Sequence, residues 1–196
     1  TSGVPFADLQ FPTPSGKVEL YSERMIASGV DPLPDYHAPA ELSAGDLGDS
    51  LVLISGAAHH YVSSSLGNLP TLMRREGTPS IEIHPLDAEK RGIEDGNTVL
   101  VSNDRGFCYL RAVITPDVLP GVAVSPKGQW AHLSPDGRNV NWITPDALAD
   151  VANQSTFHSN LVRVSRVAGA GGHATDKSAP FVTAEHQEEG LLVGDA

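Results

Sequence analysis

Polar and apolar positions alternate from Ser80 to His84, with Ile81 and Ile83 falling on one face, which is the period of a half-buried strand. The pattern breaks at Pro85. Proline fits the first helical position, Asp87 sits where the helix dipole favours a negative charge, and Gly92 can close the helix in a left-handed conformation. Asp95-Gly96 then turns the chain, Asn97–Ser102 reads as a β-branched strand, and Asp104-Arg105-Gly106 turns it again. So compressed a unit predicts a small closed barrel with a helix packed on its side. The same reading predicts strands near 51–54, 80–84, 97–102, 106–115, 121–125 and 160–165. Helices are predicted near 69–75, 85–91 and 145–152, the last with Thr144 as N-cap and Pro145 at the first helical position. Strands dominate and helices are short, so the class is all-β or β-rich α+β.

The flanks differ from this middle. Residues 1–49 read as a lead-in: a Pro/Gly turn at Phe11–Lys17, one amphipathic helix over Val18–Gly29 with Val18, Leu20, Tyr21 and Met25 near its apolar face, then a proline-punctuated extended stretch. Residues 50–165 read as the folded domain. Residues 166–196 are Gly-rich, aperiodic and acidic, and predict a flexible tail.

Composition narrows the function classes. Of 196 residues 40% are hydrophobic and 19% charged, which is globular, and only 6% are aromatic, so aliphatic side chains must build the core. No apolar run approaches the roughly 20 residues that cross a membrane, which predicts no membrane insertion. No signal peptide is visible and the chain opens on Thr1, as expected of a piece of a longer protein in the cytoplasm (or the periplasm, for a full enzyme). The net charge of −11 is uneven: −6 over residues 1–49, −2 over 50–165 and −3 over 166–196. No basic stripe exists to displace counterions, which argues against nucleic acid. Cys108 is the single cysteine; it can form neither an internal disulfide nor a cysteine metal site, and it falls mid-strand as a small hydrophobe.

Three separated stretches offer chemistry. The first follows the opening strand: Ser55-Gly56-Ala57-Ala58 lets backbone approach a ligand, and His59, His60, Tyr61, Ser63, Ser64 and Ser65 offer donors. An ordinary polar surface loop accounts for the same composition. Neighbouring His59 and His60 point to opposite sides of an extended chain and lack a third ligand, so no metal site is expected. The second, Pro126–Asp146, holds Trp130 and Trp142 with Gln129, Asn139 and Asn141. An Asn amide presents donor and acceptor together, which suits a heterocycle edge; a long connection held by structural Asn reads equally well. The third is Gln154–Asn160, where Phe157 or His158 could stack on a ring or bond to it. No nucleophile–base arrangement, P-loop or G-x-G-x-x-G motif occurs, so no catalytic residue is assigned.

Taken in order, FPTPSGKVELYSE, LISGAAHHYVSSSLGN, IEIHPLDAEKRGIEDGNTVLVSNDRG, GVAVSPKGQW, NWITPDALAD and TFHSNLVRV resemble the C-terminal molybdopterin-dinucleotide-binding domain of the dimethyl sulfoxide reductase family, formate dehydrogenases included, over about residues 5–165. The resemblance implies a mainly β fold, a six-stranded double-psi β-barrel with a few short helices, of the aspartate-decarboxylase-like kind. It implies a domain that closes over a bis-molybdopterin guanine dinucleotide cofactor, carrying molybdenum or tungsten, whose partners are the remaining domains of the same oxidoreductase. The family's cofactor contacts fall on Ser55, Gly56, His59, His60, Tyr61, Ser63, Asn68, Trp130, Asn141, Phe157 and His158. Asn153-Gln154-Ser155 stand where the family often has Gly-Gly-Ala. The chain holds no iron–sulfur cysteine cluster and no segment supplying a metal ligand, so any cluster of the full enzyme would belong to absent domains, and the isolated chain is expected to be inactive with no cofactor bound. Two other readings stand beside this one: a separate small subunit of a multi-chain enzyme, as in formylmethanofuran dehydrogenase, and a double-psi barrel used as a protein-interaction module. A self-cleaving decarboxylase barrel needs a Gly-Ser pair, and none occurs.

Overall fold

The computed structural model describes residues 3–33, 35–43, 47–134, 136–149, 151 and 153–167. Nearly all of the expected tail, from 168 onward, lies outside them. The chain divides into two compact units, residues 1–38 and 39–196.

The first unit is a set of turns around one short helix. The Thr13 hydroxyl donates to the Lys17 carbonyl at 2.6 Å, and the Ser15 amide donates to the Glu19 carboxylate. The helix α1 spans only Glu23–Ala27, not the twelve residues that the apolar spacing suggested. Ser22 is the reason. Its hydroxyl accepts from the Met25 amide and starts the helix there, the local competition that makes serine a cap rather than an interior residue. Val18, Leu20 and Tyr21 are left exposed ahead of it.

In the second unit the strands are β1 (Leu51–Ile54), β2 (Ser80–Ile83), β3 (Thr98–Asn103), β4 (Gly106–Ile114), β5 (Val122–Val124) and β6 (Asn160–Arg166), each within one or two residues of its expected position. Helices α2 (Ala40–Ser43), α3 (Pro70–Glu76) and α4 (Pro85–Lys90) accompany them. The strands close in the order β1-β5-β2-β4-β3-β6. β1 runs parallel to β5 and β2 parallel to β4; the other four pairings are antiparallel. Advancing every strand number by three maps this scheme onto itself, the pseudo-twofold signature of a double-psi barrel.

Strand alternation decides what fills the barrel. Leu51, Leu53, Ile81, Ile83, Val99, Val101, Cys108, Leu110, Ala112, Ala123, Val162 and Val164 point inward and are all 5% exposed or less. Removing a Leu or Ile of this kind from water contributes about 1.5–3 kcal/mol. At one end the inward layer turns polar: Ser55, Ser125 and Asn160 are buried there.

The helix expected at 145–152 does not form; residues 145–149 and 151 are non-helical. A tight 3₁₀ turn occupies Val140–Ile143 instead. The Thr144 hydroxyl donates back to the Val140 carbonyl at 2.8 Å, so it closes the preceding turn and cannot cap a following one. Leu148 then bridges Ser155 in a small antiparallel return.

α4 has the expected Pro85 start, with the His84 ring accepting from the Leu86 amide. Asp87 does more than face the dipole. It is buried, accepts from the Gly121 amide at 2.6 Å, and meets Arg91, whose guanidinium also donates to the Asp49 carbonyl. The helix is thereby pinned to the β4–β5 connection and to the entry into β1.

Candidate functional site

The strand registers place the three chemistry-bearing stretches at one end of the barrel. β1 and β5 finish there, β2, β4 and β6 start there, and β3 finishes beside the start of β4. The 55–79 connection, the 125–159 connection and the 103–106 hairpin therefore share that rim. The opposite end carries 91–97 and 115–121.

The first loop is stitched to the second at three points. The Lys127 amide donates to the Gly56 carbonyl at 2.9 Å, next to an Ala57–Lys127 bridge. The Trp130 indole N–H donates to the Ser64 carbonyl at 2.7 Å. Tyr61 of the first loop and Gln129 of the second line one cleft together. Gly128, at φ +98, is pressed on the Ser63 backbone so closely that a Cβ has no room. The third stretch joins through Phe157, whose ring lies 4.0 Å from the Lys127 ammonium and 4.2 Å from the His158 ring.

The first loop is itself strained and anchored. Ser63 (φ 49) and Leu66 (φ 70) hold left-handed conformations, which cost of order 1–3 kcal/mol each for non-glycine residues and cluster at functional sites. The anchor is Glu76, at the end of α3. Its carboxylate accepts from the His59 amide at 3.1 Å, from the His60 amide at 2.8 Å, and pairs with His60 Nδ1 at 2.9 Å. Burial by itself would raise the Glu76 carboxyl, but the His60 side chain and the two backbone N–H groups outweigh it and bring it below the usual carboxylate range. Burial, then the nearby Glu76 charge, pushes the Tyr61 hydroxyl up, against a lowering bond to Gln129. Tyr61 is therefore a neutral donor.

The remaining expected residues fall as follows. Ser55 is buried at the mouth of the barrel, and Gly56 beside it approaches Val124. Asn68 and His158 are exposed on the rim. Asn141 is exposed, its amide N–H taken by the Asn139 side chain, and its own side chain has no partner among the described residues. Asn139 also donates to the Gln129 carbonyl at 2.6 Å, so it ties the Val140–Ile143 turn to the second loop. That turn also rests on the hairpin: Asn103 and Arg105 donate to the Ile143 carbonyl. Asp136 and Arg138 leave the rim and run along the outer side of β4, Asp136 accepting from the Tyr109 amide and Arg138 stacking over Phe107 at 4.0 Å.

A cleft of about 40 Å³ opens between Tyr61, Gly67, Gln129, Trp130 and Leu133. That holds a few waters and no more. Cys108 is fully buried, and burial, followed by the Asp136 charge, pushes its thiol up to about 12; it is no nucleophile. Among the described residues no group of three His, Cys, Asp or Glu could hold a metal ion, and no helix is long and apolar enough to cross a membrane.

The family model for the molydopterin (molybdopterin) dinucleotide binding domain matches residues 51–161, which hold strands β1 to β5, the start of β6 and all three stretches. The chain belongs to this family. A probable oxidoreductase, YoaE of Bacillus subtilis (strain 168), is 39% identical over 158 residues, covering 81% of this chain and 22% of the relative. Dimethyl sulfoxide reductase DmsA of Escherichia coli (strain K12) is 34% identical over 173 residues, covering 79% and 21%. The solved structure of acetylene hydratase from Pelobacter acetylenicus superposes with a TM-score of 0.71 at 25% identity, covering 81% of this chain and 24% of that one. This molybdopterin dinucleotide-binding domain thus spans about a fifth to a quarter of the length of such relatives.

Proposed function

We propose that the barrel rim forms one wall of a bis-molybdopterin guanine dinucleotide site in a larger, dimethyl sulfoxide reductase-like oxidoreductase. Its remaining domains would supply the rest of the enclosure, any iron–sulfur cluster and the metal's protein ligand, in the cytoplasm or periplasm. The isolated chain then has no turnover of its own.

The observation that carries this reading is the convergence of three loops on a rim that contains unsatisfied polar atoms. The Ser55 hydroxyl and the Asn160 side-chain oxygen are buried at the mouth and have no hydrogen-bond partner among the described residues. They lie close together, since Asn160 pairs with Leu53 of β1 and Ser55 directly follows that strand. An orphaned buried donor or acceptor costs about 1–3 kcal/mol, so an opening of the mouth that brings a ligand's N–H or carbonyl edge to these atoms, closed to solvent here, would be favoured. The residues present therefore fit the group that the family binds.

When bound, the metal–dithiolene group supplies the electron transfer. This chain binds and orients. Ser55 and Gly56 line the mouth, Tyr61 donates as a neutral hydroxyl, and His59 and His60 are held in place by Glu76. Ser63 and Asn68 offer exposed polar groups, Asn141 presents a side-chain carboxamide with no partner among the described residues, and Trp130, Phe157 and His158 offer ring faces. None of these groups exchanges an electron or transfers a proton in this reading. The hydratase among the structural relatives leaves the reaction itself to residues outside this chain, as fold does not dictate chemistry.

An NMR titration of the whole chain with GDP tests this. We expect shifts clustered in residues 55–68, 126–146 and 154–160. Asn141→Ala should weaken binding by about 1–3 kcal/mol if its amide is buried by the ligand. Unchanged affinity in a folded Asn141→Ala protein rejects that contact; shifts confined to the opposite rim reject the site.

A further inference from the structure

The stretches 55–68, 126–134 and 153–160 hold no Asp or Glu, although the chain has 24 acidic residues. They hold His59, His60, His132 and His158, and a single Lys or Arg, which is Lys127. We infer that Lys127 is the anion contact of the rim, its ammonium binding a phosphate oxygen of the dinucleotide's diphosphate. This rests on the cofactor-binding reading above and adds the charge partner that reading lacks.

Placement is the first argument. The backbone of Lys127 is fixed against the first loop by its bond to the Gly56 carbonyl and the bridge to Ala57. Its ammonium stands over Phe157 of the third stretch at 4.0 Å. Lys127 thus touches all three stretches at their meeting point. An ammonium has three donors, and a ring face engages one side of it, leaving the others open.

Charge is the second argument. A chain of net charge −11 repels an anionic ligand at long range. The stretches 55–68, 126–134 and 153–160 carry no carboxylate and have Lys127 as their one Lys or Arg, which weakens that repulsion locally beside the Glu76 carboxylate that anchors His59 and His60. Lys127 has no carboxylate partner among the described residues, so its charge is not neutralised by the fold. Arg105 of the rim hairpin is paired with Glu41 and bonded to the Ile143 carbonyl, and Arg138 lies over Phe107 beside β4.

The test compares GDP with guanosine, which differ by the diphosphate, on the whole chain and on Lys127→Met, Lys127→Arg and Phe157→Leu proteins. Amide spectra without ligand establish that each variant is folded. GDP should bind more tightly than guanosine. Lys127→Met should reduce the GDP-to-guanosine affinity ratio about five- to tenfold, the loss expected of one charge-assisted bond at a partly exposed site. Lys127→Arg should keep most of the ratio, and Phe157→Leu should weaken both ligands alike. A Lys127→Met protein with the wild-type ratio overturns the inference, makes Lys127 a latch on Phe157, and leaves the cofactor reading standing. A wild-type chain whose rim responds to neither ligand overturns the cofactor reading, and this inference with it.

Discussion

Replacing Glu76 should loosen the first loop. Its carboxylate is the common acceptor for three donors on two consecutive residues, at 3.1, 2.8 and 2.9 Å. The two bonds to His60 are partly shielded and charge-assisted, about 1–1.5 kcal/mol each; the exposed His59 bond is nearer 0.5. An anion in the last turn of α3 opposes the helix dipole, which returns about 0.3–0.5 kcal/mol. The net cost of Glu76→Ala is then about 2–3 kcal/mol, and of Glu76→Gln about 1–2, since the amide keeps one acceptor. Urea denaturation of the whole chain measures both, with the slope against denaturant checked for constancy. The sign with pH follows from the lowered carboxyl. The contribution is complete above the unfolded value of about 4.3 and disappears as the pH falls through the lower folded value. The gap between wild type and Glu76→Ala should therefore close in acid. A gap below about 0.5 kcal/mol at neutral pH, or one that widens in acid, refutes the reasoning.

Other perturbations separate the remaining features. Gly128 (φ +98) and Gly77 (φ +83) share a left-handed backbone, but only at Gly128 would a Cβ strike the Ser63 main chain; Gly128→Ala should cost at least about 2 kcal/mol more than Gly77→Ala in the same assay, and equal costs contradict the close approach. Asn139→Ala removes bonds to both Gln129 and Asn141 from a buried site, a loss of about 2–3 kcal/mol that should also speed hydrogen exchange at Asn141 first; an unchanged Asn141 amide speaks against the tie. The Cys108 thiol, raised to about 12 by burial, should resist iodoacetamide at pH 8 until urea opens the barrel. Stoichiometric labelling of the native chain, read by mass spectrometry, would show the burial to be wrong.

Local rules made the barrel strands legible. Alternation in Ser80–Ile83 and in Thr98–Asn103, with turns at Asp95-Gly96 and Asp104-Arg105-Gly106, fixes short strands and tight reversals through nearest neighbours alone. Pro85 carried the start of α4 in the same way. Two helices were misread where a hydroxyl chose between partners. Ser22 caps late and shortens α1; Thr144 bonds backward to Val140 and cancels the helix that Pro145 predicts. Sequence spacing does not tell which carbonyl or amide a hydroxyl will meet.

The rim was legible as composition, not as contacts. Small residues, serines and asparagines marked the loops, but the bonds that join them span 60 residues or more, as from Trp130 to Ser64. Glu76 was missed because it lies outside the loop it anchors, yet it left a trace: a carboxylate in the last turn of α3 runs against the dipole and calls for a partner. Lys127 likewise looks ordinary until it is found with no carboxylate partner among the described residues. Asp87 shows the converse, a residue assigned a local role whose main bond, to Gly121, is long-range.

The central claim is that the cofactor sits on the rim formed by the ends of β1 and β5 and the start of β6. Hydrogen exchange of the whole chain, with and without molybdopterin guanine dinucleotide released from a relative, tests it most directly. The account predicts slowed exchange in residues 55–68, 126–146 and 154–160, with 91–97 and 115–121 unchanged. Protection at 91–97 and 115–121, with the three loops unaffected, would contradict it.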